Sequence, residues 1–221
     1  MNNSIIFLLL SLVACSSVVY GVQYLHMEPY ANSDCKGEIY GAGYALQIDL
    51  CFGINYQGGA FVNNFKVSLD DSGQNATVSQ FKDTDTSCST PNTNFDKVYN
   101  VGECYEAPGY GNSDDYEPTN FVLISIQNNP HSIPTYGYRS TTYGDSQCMS
   151  NPQFYIFYTN NTEFNIHSDD YSKWYCVDNQ AYETFCEQGE GTESCFTNPS
   201  SSECTRNFLQ WHEDNYIQES C

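Results

Sequence analysis

Apolar and polar positions alternate with a period of two along much of this chain. Ala45-Leu46-Gln47-Ile48-Asp49-Leu50 reads that way, as do Phe61 to Leu69 and Ala76 to Phe81, and such alternation predicts strands with one buried face. Two runs are almost continuously apolar, Phe121-Val122-Leu123-Ile124-Ser125-Ile126 and Phe154-Tyr155-Ile156-Phe157-Tyr158, which suits strands covered on both faces. Gly, Asn, Asp and Pro gather between these segments, at Asn55–Gly59, Asp70–Gly73, Pro108–Pro118 and Asn128–Pro134, where turns and loops are expected. No stretch of helical length holds a 3.6-residue period, and Phe208–Ile217 suits a short helix or a strand equally. The predicted fold is all-β: disulfide-stapled antiparallel sheets with long loops and a cysteine-rich, irregular C-terminal part.

The longest apolar stretch opens the chain. Residues 2–21, NNSIIFLLLSLVACSSVVYG, have an uncharged start, an aliphatic run and then small residues, the layout of a secretory signal peptide with cleavage expected after Gly21. Leu12-Val13-Ala14-Cys15 also has the form of a lipobox, but the start lacks Lys and Arg and a cysteine-rich domain follows. Beyond the leader lie Cys35, Cys51, Cys88, Cys104, Cys148, Cys176, Cys186, Cys195, Cys204 and Cys221. An even count in a secreted chain predicts a disulfide framework. Four of these cysteines precede the Asn128–Pro134 break and six follow it. Two β-rich domains are therefore expected, residues 22–130 and 131–221, each closed by its own bridges. The six-cysteine part reads as the poorer in long strands, and one of its bridges must pin Cys221. Which cysteine pairs with which stays open, because four allow three pairings and six allow fifteen.

Composition makes the bridges necessary. Only 35 of the 200 residues after position 21 are Leu, Ile, Val or Phe, and the net charge is −20; a chain below about 20% in these residues with high net charge tends toward disorder. Tyrosine and tryptophan bodies offset that deficit where the polar tip finds a partner, and each disulfide adds roughly 2–4 kcal/mol. The fold should not survive reduction. The same acidity excludes nucleic acid, since seven scattered Lys and Arg form no stripe that neutralises phosphates. No apolar run after the leader approaches the ~20 residues of a membrane span.

Candidate chemistry is sparse. The nearest cysteines are nine residues apart, too far for the close ligand pairs of structural zinc. Calcium is the one metal with spare oxygen ligands available: Asp83-Thr-Asp85-Thr-Ser87 begins like a ligand loop, but Cys88 and Asn94 stand where an EF-hand needs Gly and Glu. No cofactor is expected. No G-x-S-x-G motif occurs, His212-Glu213 lacks a second histidine at Tyr216, and Glu183, Glu187, Glu190 and Glu193 read as a solvated acidic face. Tyr136, Tyr138, Tyr143, Trp174, Tyr175 and Trp211 stand among amides and hydroxyls, where flat rings could stack on sugars or on a protein partner. Asn75-Ala-Thr77 and Asn160-Asn-Thr162 are N-glycosylation sequons.

A short motif recurs: Tyr30-Ala-Asn-Ser-Asp-Cys35 and Tyr143-Gly-Asp-Ser-Gln-Cys148 share Tyr-x-Asn/Asp-Ser-x-Cys. With Phe154-Tyr-Ile-Phe-Tyr158 and the closing cysteines 176, 186, 195, 204 and 221, it resembles the small secreted cysteine-rich proteins of social amoebae, some of them called counting-factor-associated proteins. The resemblance implies a secreted protein linked to group-size or cell-contact signalling, and it brings no catalytic residues. The expected function is non-enzymatic extracellular recognition or signalling, with an extracellular protein or glycan as partner. A secreted glycan hydrolase and a matrix component are the alternatives. Two facing carboxylates with raised pKa values in a cleft would mark the hydrolase, a flat aromatic patch the binding protein, and insoluble or covalent assembly the matrix role.

Overall fold

The computed structural model describes residues 21–56, 61–82, 84–90, 96–110, 118–128, 137–160, 162–165, 171–189, 192–206 and 215–221. Among these the structure is all-β, antiparallel and without a helix. A central sheet runs in the order β15 (Thr205–Arg206), β16 (Tyr216–Ser220), β9 (Tyr138–Tyr143), β10 (Phe154–Tyr158), β2 (Ala42–Gln47), β1 (Tyr24–Tyr30), β8 (Phe121–Gln127), β7 (Cys104–Glu106). A second sheet joins β3 (Cys51–Tyr56), β4 (Phe61–Leu69), β5 (Asn75–Phe81) and β6 (Lys97–Asn100). The third, C-terminal sheet joins β11 (Thr162–Asn165), β12 (Tyr171–Val177), β13 (Gln180–Gly189) and β14 (Thr192–Pro199).

The boundary expected at residue 130 does not divide the sheet. β10, from the later part, pairs along its whole length with β2 from the earlier one, Phe154 opposite Leu46 and Tyr158 opposite Ala42. The disulfides do keep to their own sides: Cys35–Cys104, Cys51–Cys88, Cys148–Cys204, Cys176–Cys221 and Cys186–Cys195. The two sets of bridges are therefore separate covalently and joined by backbone hydrogen bonds. The later part also holds the longest strand, the ten-residue β13, against the expectation of short strands there. Asp178 and Asn179, with φ of +51° and +63°, close a two-residue hairpin between Val177 and Gln180, and this primed turn keeps two long strands in register.

The main core lies between one face of the central sheet and the second sheet, with Leu25, Tyr44 and Ile124 meeting Phe52, Val67 and Tyr99. The opposite face of the central sheet is also buried, at Tyr24, Ala45, Tyr155 and Phe157. β10 is thus covered on both faces, as its continuous apolar run requires. β2 departs from the half-exposed strand that alternation predicts at Ala45–Leu50: it ends at Gln47, and residues 42–46 are all buried. Its small residues explain this, because a Cβ on Gly43 would stand 2.3 Å from the Phe157 ring. β8 departs the other way, burying Val122 and Ile124 while its alternate residues are only half-buried, since it neighbours the three-residue edge strand β7.

One loop geometry recurs four times. In Asn32–Cys35, Asp70–Gly73, Asp85–Cys88 and Asp145–Cys148 the fourth residue donates its N–H to the carbonyl of the first at 3.0–3.2 Å. That fourth residue is left-handed each time, with φ of +48°, +67°, +50° and +52°. Glycine takes this conformation freely, whereas cysteine does so at a cost of about 1–2 kcal/mol. Three of the five disulfides have one cysteine in this turn, so the recurrent motif is a device for aiming a thiol. Asp85-Thr-Ser-Cys88 is a third copy that lacks the leading tyrosine.

Candidate functional site

The C-terminal sheet has one face toward the central sheet; the other, more open face is half-buried at Tyr175, Tyr182 and Thr184 and closed at Cys186. On the open face Tyr175 and Tyr182, directly opposite across the hairpin, stack with ring centroids 5.6 Å apart and planes inclined by 17°. The next row holds Lys173, Thr184 and Thr197. Thr184 donates its hydroxyl to Tyr175 Oη at 3.3 Å and shares a 2.7 Å hydrogen bond with Thr197 Oγ1. Lys173 Nζ meets Glu163 Oε1 at 3.0 Å. Hydroxyl groups and a paired charge surround two parallel rings, none of them buried. Such a surface can accept a flat apolar patch and hydrogen-bond its polar rim.

The facing side holds a denser cluster. Trp174, half-buried, stacks on Tyr158 at 4.5 Å and 15°, and Tyr138 stacks on Tyr158 at 5.7 Å. Tyr138 donates its hydroxyl to Glu219 Oε1 at 2.6 Å. Glu183 stands opposite Trp174 on β13; burial, and next the charge of Glu219, push its carboxyl above the ordinary range. Burial and then Glu219 raise the Tyr138 hydroxyl in turn. Burial beside Glu219 thus favours the protonated forms of both Glu183 and Tyr138.

Three comparisons with known proteins bear on this arrangement. The family described as counting factor-associated protein A/B/C matches residues 1–216. The chain belongs to that family. It is also similar to an uncharacterised protein of Dictyostelium discoideum, 30% identical over 215 residues, which cover 90% of this chain and 64% of the relative. The chain thus spans just under two thirds of that relative's length. No solved structure matches it.

Within this family framework the residues singled out from sequence separate clearly. Tyr138 and Tyr143 are buried, at 4% and 8% exposure, so neither ring offers a face to a ligand; both replace missing aliphatic core. Trp174 is half-engaged, Tyr175 lies on the open face, and Tyr136 and Trp211 fall outside the described residues. Tyr182 carries no motif of its own; the Asp178–Asn179 turn places it opposite Tyr175. Asn75 donates its amide to Asp70 Oδ2 at 2.6 Å. Asn160 is exposed, with its amide oxygen accepting the Cys176 N–H at 2.9 Å.

The loop considered for calcium is used internally. Asp83 lies outside the described residues, and Asp85 accepts N–H bonds from Ser89 and Thr90, which hold its carboxyl down at about 2. Among the described residues no group of three or more His, Cys, Asp or Glu converges on a metal position. No helix there is long and apolar enough to cross a membrane.

Proposed function

We propose that the protein acts outside the cell as a non-enzymatic recognition protein, and that the open face of its C-terminal sheet contacts a glycan or protein of the cell surface. The observation that carries this reading is the parallel Tyr175–Tyr182 pair beside the Thr184–Thr197 hydroxyl pair. Rigid aromatic rings give large contact area at low entropic cost, and flanking hydroxyls fix orientation. Five disulfides and membership of the counting factor-associated family support an extracellular setting. On this reading the leader is removed on secretion, and Asn75 and Asn160 carry glycans. Binding of the labelled secreted protein to intact cells tests it. The Tyr175→Ala/Tyr182→Ala variant should lose binding while keeping its melting temperature; undiminished binding would sink the proposal.

One observation favours a second reading, a secreted glycan hydrolase. Glu183, its carboxyl raised by burial and then by the charge of Glu219, stands opposite Trp174, which stacks on Tyr158, and glycoside hydrolysis uses a carboxylic acid beside a second carboxylate. Incubation with extracellular polysaccharide and detection of reducing ends decides it. Activity abolished by Glu183→Gln supports the hydrolase, and no release by the wild type removes it.

A further inference from the structure

The three sheets treat their edges differently. The central sheet ends in strands of two and three residues, β15 and β7, and the second sheet has at one edge the four-residue β6. β14, by contrast, is an eight-residue edge strand. Its residues 194–199, Ser-Cys-Phe-Thr-Asn-Pro, are all exposed and carry no charge, and Phe196 is 60% exposed. Long, uncharged edges are what soluble proteins ordinarily avoid, because their free N–H and C=O groups invite another strand.

The register says which groups are free. Cys186 and Cys195 are direct partners with Cα atoms 4.1 Å apart, the close spacing of a non-hydrogen-bonded antiparallel pair. Ser200, at even spacing from Ser194, Phe196 and Asn198, donates its N–H to Ala181 at 2.9 Å. Even-numbered residues of β14 therefore bond to β13, and Cys195 and Thr197 turn their N–H and C=O groups outward. Among the described residues no strand lies on that side.

We propose that β14 is an assembly edge that pairs antiparallel with β14 of a second copy of this chain. The strand is self-complementary about Phe196. A two-fold axis normal to the sheet sets Cys195 against Thr197 of the partner copy, satisfying both N–H and both C=O groups of each pair. Phe196 then meets its own counterpart in a close, non-hydrogen-bonded position on the inward face, where aromatic cross-strand pairs are favourable. Pro199, which has no N–H, falls at the end of the ladder, where its loss is least felt. No like charges oppose one another along residues 194–199. If the recognition reading above holds, the same axis keeps both Tyr175–Tyr182 faces on one side of an eight-stranded sheet. Binding would then be bivalent. The assembly itself rests on β14 alone.

Sedimentation velocity of the disulfide-intact secreted protein over a range of micromolar concentrations tests this. A monomer–dimer equilibrium is expected, tightening as salt screens the repulsion between two chains of net charge −20. Thr197→Pro removes an outward N–H, together with the Thr184–Thr197 hydroxyl bond, and should weaken dimerisation about tenfold or more. Phe196→Lys, at a position 60% exposed, should do the same and decides the matter if the proline variant misfolds. A wild type that stays monomeric at high salt and concentration overturns the proposal, whatever other strand occupies the edge. A dimer indifferent to both substitutions overturns it equally.

Discussion

The central sheet and the C-terminal sheet are joined by the Cys176–Cys221 bridge but differ in what they leave open. The central sheet is buried on both faces at β2 and β10 and closes its edges with strands of two and three residues. The C-terminal sheet leaves Tyr175, Tyr182 and Thr184 half-exposed on the face away from the central sheet, and residues 194–199 of its edge strand exposed. In an aliphatic-poor chain the first needs tyrosine, small residues and bridges to be stable at all. The second can spend the same tyrosines on contact. The difference separates a scaffold from a surface.

The comparison breaks most visibly through the covalent frame. Cys35–Cys104 spans 69 residues and ties the far edge strand β7 of the central sheet, whereas Cys186–Cys195 spans nine within the C-terminal sheet. In the chain-entropy account, losing the first costs about 4 kcal/mol and the second about 2.5 kcal/mol. Denaturant melts of the Cys35→Ser/Cys104→Ser and Cys186→Ser/Cys195→Ser proteins should rank in that order. Equal losses would remove the distinction between the two regions.

A smaller effect sharpens the picture of the sealed sheet. Buried Asn120 accepts the Ala42 N–H at 3.0 Å and donates to the Ala42 carbonyl at 2.9 Å, completing the ladder of β2 where Gly41 gives it room. Asn120→Ala leaves two backbone groups unpaired and should cost about 2–3 kcal/mol by thermal or denaturant unfolding. The corresponding cut on the open face, Thr184→Ala, should change stability by less than about 0.5 kcal/mol.

Much of the scaffold was legible locally. β4 and β10 begin and end where the two-residue period and the continuous apolar run indicated, since those signals depend only on neighbours in sequence. The pairing of β10 with β2 was not legible, because no local pattern specifies a partner more than a hundred residues away. For the same reason the division at residue 130 describes the cysteines and not the sheet. The Asx–x–x–Cys turn was half-legible: two copies share a tyrosine and the third, at Asp85, lacks it, although the turn needs only the acid or amide and the left-handed cysteine. The polar neighbours of Tyr175 mark it as a surface ring, but its stacking partner depends on the hairpin register. The raised Glu183 carboxyl depends on burial, which residue type does not encode.

The subtlest effect is in pH. The folded protein holds the Glu183 carboxyl above its ordinary value, so its ionisation opposes folding. That penalty is absent below the ordinary carboxyl range and grows as pH rises through it toward the raised value. Asp70, Asp85 and Asp145 act oppositely: each is held at about 2 by side-chain and backbone hydrogen bonds, and the stability they lend is lost as pH falls from about 3.8 toward 2. Melting temperatures across this range should show Glu183→Gln flattening the decline above the carboxyl range and leaving the acid limb unchanged.

Native-state amide hydrogen exchange tests the division between scaffold and surface most directly. Amides of β2 and β10 should exchange only through global unfolding, while the Cys195 and Thr197 amides exchange orders of magnitude faster in dilute protein and slow as concentration rises. Protection of those two amides equal to that of β10 in the dilute monomer would contradict the account.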